Sequence, residues 1–191
     1  VNPLKNNKST VSGKFIVFVG FISFTFAALF FLLSEFLART INSIILSFLF
    51  LIIIILLGIL ADIVGTSVAA ASEAPFHAKA SKRIPGAREG VFLIRNADRV
   101  ANITNDVIGD IAGTVSGALG IALVIQIMSI REDLNRFVLN MIITACIAAF
   151  TVGGKAYGKK IALSRPNDVI FFVGRVIAAF SGITGIKLVK K

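Results

Sequence analysis

Residues Ile44 to Leu60 read IILSFLFLIIIILLGIL, a run with no charged side chain. A helix needs about 20 apolar residues to cross the hydrocarbon core. The run extends on both sides to about Asn42 and Ala71, and Pro75 ends it because proline cannot continue a helix. Hydrophobic residues make up 56% of the 191-residue chain. A soluble domain of this size would not carry such a stretch, so the chain is an integral membrane protein.

Working outward, Lys14 to Leu33 (KFIVFVGFISFTFAALFFLL) is another span, too long for a signal-peptide core and followed by no small-residue cleavage site. Its phenylalanines face lipid or pack. Phe76 to Arg99 is a basic connector in which SKRIPGAR turns between two short interfacial helices. About Ala101 to Met128 is a third span. The polar loop Ser129 to Arg136 leads to a fourth, about Phe137 to Val152, expected to break at Gly153-Gly154. Asp168 to Lys191 has an apolar face but carries Arg175, and reads as an amphipathic helix lying on the membrane surface. The expected fold is therefore all-α, with about four transmembrane helices plus interfacial amphipathic ones. Residues 1–40 form a tail and an added helix, and 41–191 form the main transmembrane domain with its connector at 76–99.

Charge sets the orientation. Seventeen of the twenty lysines and arginines fall in the N-terminal tail, in the connector, or from Lys155 onward. By the positive-inside rule both termini lie in the cytoplasm. Topology thus accounts for the net charge of +10, which otherwise suggests nucleic-acid binding. The basic clusters suit anionic lipid headgroups. Tyr157, the only tyrosine, fits an interfacial anchor. A single histidine (His77) removes zinc-hydrolase spacing, and a single cysteine (Cys146) permits no intrachain disulfide and reads as a small packing residue. No nucleophile–base pair is visible, so the chain is not read as an enzyme.

Four of the ten acidic residues, Asp62, Glu73, Asp106 and Asp110, lie in or at the ends of apolar stretches. Each costs about 2.5–3.5 kcal/mol on insertion scales, so such groups usually face a cavity, pair with a cation or bind one. Asn102, Asp106 and Asp110 recur every fourth residue and share a helix face, beside a small-residue stripe of Gly109, Gly113 and Gly117 that lets a helix approach closely. Two carboxylates one turn apart call for a proton or a cation, unless the helix start leaves both wet at the cytoplasmic surface. Glu73 either gates an ion path or accepts hydrogen bonds from the basic connector. Asp62 has Gly65 and Thr66 one turn on and lines the same cavity.

Three signatures, in order, resemble the transmembrane domain shared by the CNNM and CorC magnesium transporters. Ala71-Ser72-Glu73-Ala74 is similar to the family's S-E-T-A, and Asn96-Ala97-Asp98-Arg99 to its N-P-x-R. Gly154-Lys155-Ala156-Tyr157-Gly158-Lys159-Lys160-Ile161-Ala162, with Ser164-Arg165-Pro166, resembles G-E-x-x-P-K-x-x-A-x-x-x-P. The match covers roughly Ile44 to Ala179. The resemblance implies a magnesium ion held mid-membrane by serines, an asparagine and the glutamate of the third motif. It also implies a homodimer and a bacterial plasma membrane. The serine pair maps to Thr66 and Ala70, the asparagine is nearest Asn105, and the glutamate is Lys155. The family's nucleotide-sensing CBS pair has no counterpart in these 191 residues.

Lys155 leaves two readings. The site is rebuilt, with Thr66, Ser67, Asn105, Asp106 and Asp110 supplying the hard oxygens that magnesium prefers. Otherwise it is defunct, with Lys155 as an internal cation paired to Asp106 or Asp110. A lysine that simply snorkels to the headgroups is the plain alternative. Ser72, Glu73 and Asp62 remain candidates for the ion pathway. The corresponding functions are a divalent-cation transporter, with magnesium as its cargo, and a non-transporting membrane scaffold or regulator.

Overall fold

The computed structural model describes residues 13–40, 43–131 and 133–184. The basic tail before Gly13 and the KLVKK end lie outside the described residues. In order the helices are α1 (Gly13–Thr40), α2 (Ile44–Ala70), α3 (Ala74–Ser81), α4 (Ala87–Arg95) and α5 (Ala97–Ala101). A π-helical segment (Asn102–Ile108) follows and runs into α6 (Gly109–Met128), then α7 (Arg136–Ser164) and α8 (Pro166–Thr184). The described residues hold no strand, so the protein is an all-α membrane protein.

Helix ends follow their sequences. Asn135 caps α7, its Oδ1 accepting from the N–H groups of Phe137 at 3.0 Å and Val138 at 3.3 Å. Pro166 starts α8, where its missing N–H costs nothing. Gly86, at φ +88°, supplies the left-handed turn into α4.

α2 is the central helix. Leu51, Ile54 and Ile55 meet Val107, Ile111, Ala112, Val115, Leu119 and Leu123 of the π-helical segment and α6, with α1 and α7 packed alongside. Lipid tails are as apolar as leucine, so close packing rather than water exclusion holds such helices together, and small residues set the approach. At Gly58 an added Cβ would stand 2.9 Å from the Ala112 Cβ, and at Gly158 2.7 Å from Ile63 Cγ1. α7 therefore does not break at Gly153-Gly154. It runs unbroken through both, because Gly154 and Gly158 let it lie against Ile59 and Ile63 of α2 while keeping its backbone ladder.

The expected small-residue seam also divides. Gly109 is packed, but added Cβ atoms at Gly113 and Gly117 would meet nothing within 4 Å. Cys146, expected to pack, is exposed on α7.

A second cluster closes one end of the bundle. Val68, Phe76, Leu93 and Ile170 bring together α2, α3, α4 and α8. Lys79 lies 3.9 Å and Arg175 4.6 Å from the Phe171 ring centroid, and the Ser72 N–H donates to Asn167 Oδ1 at 2.9 Å. α8 differs from the surface-lying expectation in one respect. With Arg175 folded over Phe171, its outer face (Phe172, Val176, Phe180, Ile183) is apolar and exposed. Among the described residues, the helices long and apolar enough to cross a membrane are α2, the continuous Ala97–Met128 helix, α7 and α8, whereas the apolar stretch Ile16–Leu32 of α1 is shorter.

Candidate functional site

The site is built on α2, which packs against both the π-helical segment and α7. Leu51, Ile55, Gly58, Asp62 and Gly65 follow helical spacing along the inward side of α2, so the sequence that buries the core also buries Asp62. Asp62 is 5% exposed, and its Oδ2 atom has no hydrogen-bond partner. The nearest cation is Lys159 of α7, with Nζ 4.0 Å away. A charge-assisted hydrogen bond spans about 2.7–2.9 Å, so this contact is a loose ion pair. A buried carboxylate oxygen with no donor is costly, and its surroundings gain by supplying a cation, a proton or water.

Gly65 makes the room beside it. An added Cβ there would collide with Asn105 Oδ1 and Thr104 Oγ1, so the π-helical segment presses its polar side chains onto the α2 backbone. Asn105 Oδ1 is buried and likewise has no hydrogen-bond partner. Thr104 Oγ1 is committed, donating to the Val100 carbonyl at 2.8 Å. Residues three and four apart on a helix lie about 5–6 Å from one another at Cβ, which places Gly65 and Thr66 next to Asp62. Asp62 and Thr66 thus lie one turn apart on α2, and Asn105 lies against Gly65, the residue before Thr66. π-Helical turns occur often at functional sites, and here the turn delivers Asn105 to α2.

The remaining candidates are dispersed. Ser67 is fully buried with an unpartnered Oγ, but it sits five residues from Asp62, about 140° around the helix. Asp106 is exposed and accepts from Asn102 Nδ2 at 2.7 Å. Asp110 is exposed on α6. Lys155 turns inward, its Nζ 3.4 Å from the point a Gly109 Cβ would occupy. Among the described residues no ion pair joins it to Asp106 or Asp110, and no group of three His, Cys, Asp or Glu side chains is placed to hold a metal.

Sequence reasoning missed Lys159 as the partner of Asp62, and Gly65 as the platform for Asn105. The available signals were the four-residue step from Lys155 to Lys159 and the seven-residue step from Gly58 to Gly65.

Glu73 has a separate role at the connector. Its Oε1 receives Arg95 Nε at 2.5 Å and His77 Nε2 at 2.7 Å, tying the start of α3 to the end of α4. With Glu73 ionised, His77 Nε2 carries the proton, so the 3.5 Å approach of Arg95 to that nitrogen is not a hydrogen bond. The hydrogen bonds from His77 and then Arg95 hold the Glu73 carboxyl below its ordinary range. A depressed carboxyl pKa adds stability that is fully present above the unfolded value and is lost as pH falls through the folded one. The stability difference between wild type and Glu73→Gln should therefore shrink as pH drops below the ordinary glutamate range. Denaturation at a series of pH values checks this, and a constant difference would remove the ionised Glu73 from the account.

No protein-family profile, curated protein or solved structure matches the chain.

Proposed function

We propose that this chain is a divalent-cation transporter of the plasma membrane, with magnesium as its cargo and Asp62 as its buried anionic centre. One observation carries the reading: the Asp62 Oδ2 atom lies buried with no hydrogen-bond partner, with the likewise unpartnered Asn105 Oδ1 against Gly65 one turn along α2. Both are hard oxygens, the donor class magnesium takes, and Thr66 adds a hydroxyl on the same face. The CNNM and CorC resemblance bears on two of these residues: Thr66 takes one of the family's serine positions and Asn105 is the residue nearest its asparagine, while Asp62 has no family counterpart. A homodimer in a bacterial plasma membrane with both termini cytoplasmic completes the proposal, the last on the positive-inside bias.

A second reading, a non-transporting scaffold or regulator, is favoured by the lysines at two key positions. Lys159 already stands at the Asp62 carboxylate, and Lys155 occupies the family's glutamate position. Melting of the purified protein in detergent, with and without millimolar magnesium, separates the two. A ligand at 100 times its dissociation constant adds about 2.7 kcal/mol. The transporter reading predicts an upward shift with magnesium that Asp62→Asn loses. No shift in the wild type favours the scaffold.

A further inference from the structure

Lys159 stands in an odd relation to Asp62. The carboxylate is nine-tenths buried, yet the lysine side chain that approaches it is 55% exposed. A structural ion pair would close to hydrogen-bond distance and satisfy the oxygen, but this one stops at 4.0 Å and leaves Oδ2 without a donor. Lysine is a compact charge on a flexible four-carbon stem with three rotatable donors. From α7, Lys159 can thus withdraw its ammonium outward without moving backbone, whereas Asp62 on buried α2 cannot follow it. Lys155, one turn earlier, is directed instead onto Gly109 of α6. The Asp62 carboxylate thus faces the single ammonium of Lys159.

We infer that Lys159 is a tethered competitor of the cargo cation, occupying the Asp62 carboxylate when the cargo is absent and displaced outward when it binds. This deepens the cation-site reading of Asp62 and rests on it. A divalent cation and an ammonium cannot share a single buried carboxylate without like-charge repulsion, so binding of one expels the other. The tethered charge sets the affinity of the site. It keeps the carboxylate compensated between binding events, and it weakens cargo binding enough to permit release.

The test is magnesium titration of the full chain in detergent by calorimetry, comparing wild type with Lys159→Gln, Lys159→Met, Lys159→Arg and Lys160→Gln. Removing the charge should tighten magnesium binding about tenfold, equivalent to about 1.4 kcal/mol. Lys159→Arg should stay near wild type, and so should Lys160→Gln, which removes a neighbouring exposed charge. Two neutral variants guard against the failure of either one to fold. Wild-type binding with unchanged or weaker affinity in the folded neutral variants would overturn the competitor role and leave the Asp62 site intact. Equal tightening in Lys160→Gln would assign the effect to general surface charge and overturn it as well. Absence of magnesium binding in every variant would overturn the cation-site reading itself.

Discussion

Gly174→Ala is expected to lower the melting temperature by several degrees. Its Cβ would collide with the Gly86 carbonyl oxygen, a backbone atom that cannot rotate aside. Gly86 is itself fixed, since it occupies φ +88° and its own Cβ would stand 2.6 Å from the Arg175 N atom. Relief requires α8 to withdraw from the α3–α4 connector. Ile170 then leaves Val68, Phe76 and Leu93, and Lys79 of α3 loses its contact with the Phe171 ring. Overpacking of this kind costs about 1–3 kcal/mol. Gly182→Ala is the control, because an added Cβ there meets nothing within 4 Å. Equal melting of the two variants would mean that α8 is not docked through Gly174.

The elements that were legible in the sequence are those set by local chemistry. The uncharged run after Ile44 fixes α2 to within a few residues, though it ends at Ala70 and Pro75 sits in the first turn of α3, and SKRIPGAR marks the turn between α3 and α4. What was not legible depends on which helix faces which. Gly153-Gly154 looks like a breaker until Ile59 is seen to lie against Gly154, where glycine permits close approach. The glycines Gly109, Gly113 and Gly117 look equivalent by spacing, yet only the first has a neighbour inside the chain. The π-helical segment has no signature in NITNDVI, because an i→i+5 bond replaces an i→i+4 bond with nearly the same partners. Thr104 shows why the choice is close, its hydroxyl bonding to the Val100 carbonyl and competing with the ladder.

The same limit governs the site. Asp62, Thr66 and Asn105 could each be singled out by residue type at membrane depth. Their grouping could not be read, because it needs the rotation of α2 relative to the π-helical segment and α7. Asp106 and Asp110 attracted attention as a repeating pair, but packing leaves both exposed and gives the buried position to Asp62. Lys159 was invisible as a partner because the contact joins residues ninety-seven positions apart across two helices.

Asp62→Asn is expected to abolish magnesium transport. The substitution keeps shape and volume but removes the charge that a divalent cation requires. It also leaves Lys159 without its partner, so a folded but inactive protein is the anticipated product. Asp110→Asn, at an exposed position on α6, should retain transport if Asp62 is the anionic centre. The most direct measurement is magnesium entry into proteoliposomes carrying a trapped magnesium-sensitive dye, for wild type and these two variants. The account predicts flux in wild type and Asp110→Asn, and none above protein-free vesicles in Asp62→Asn. Wild-type flux in Asp62→Asn would contradict it.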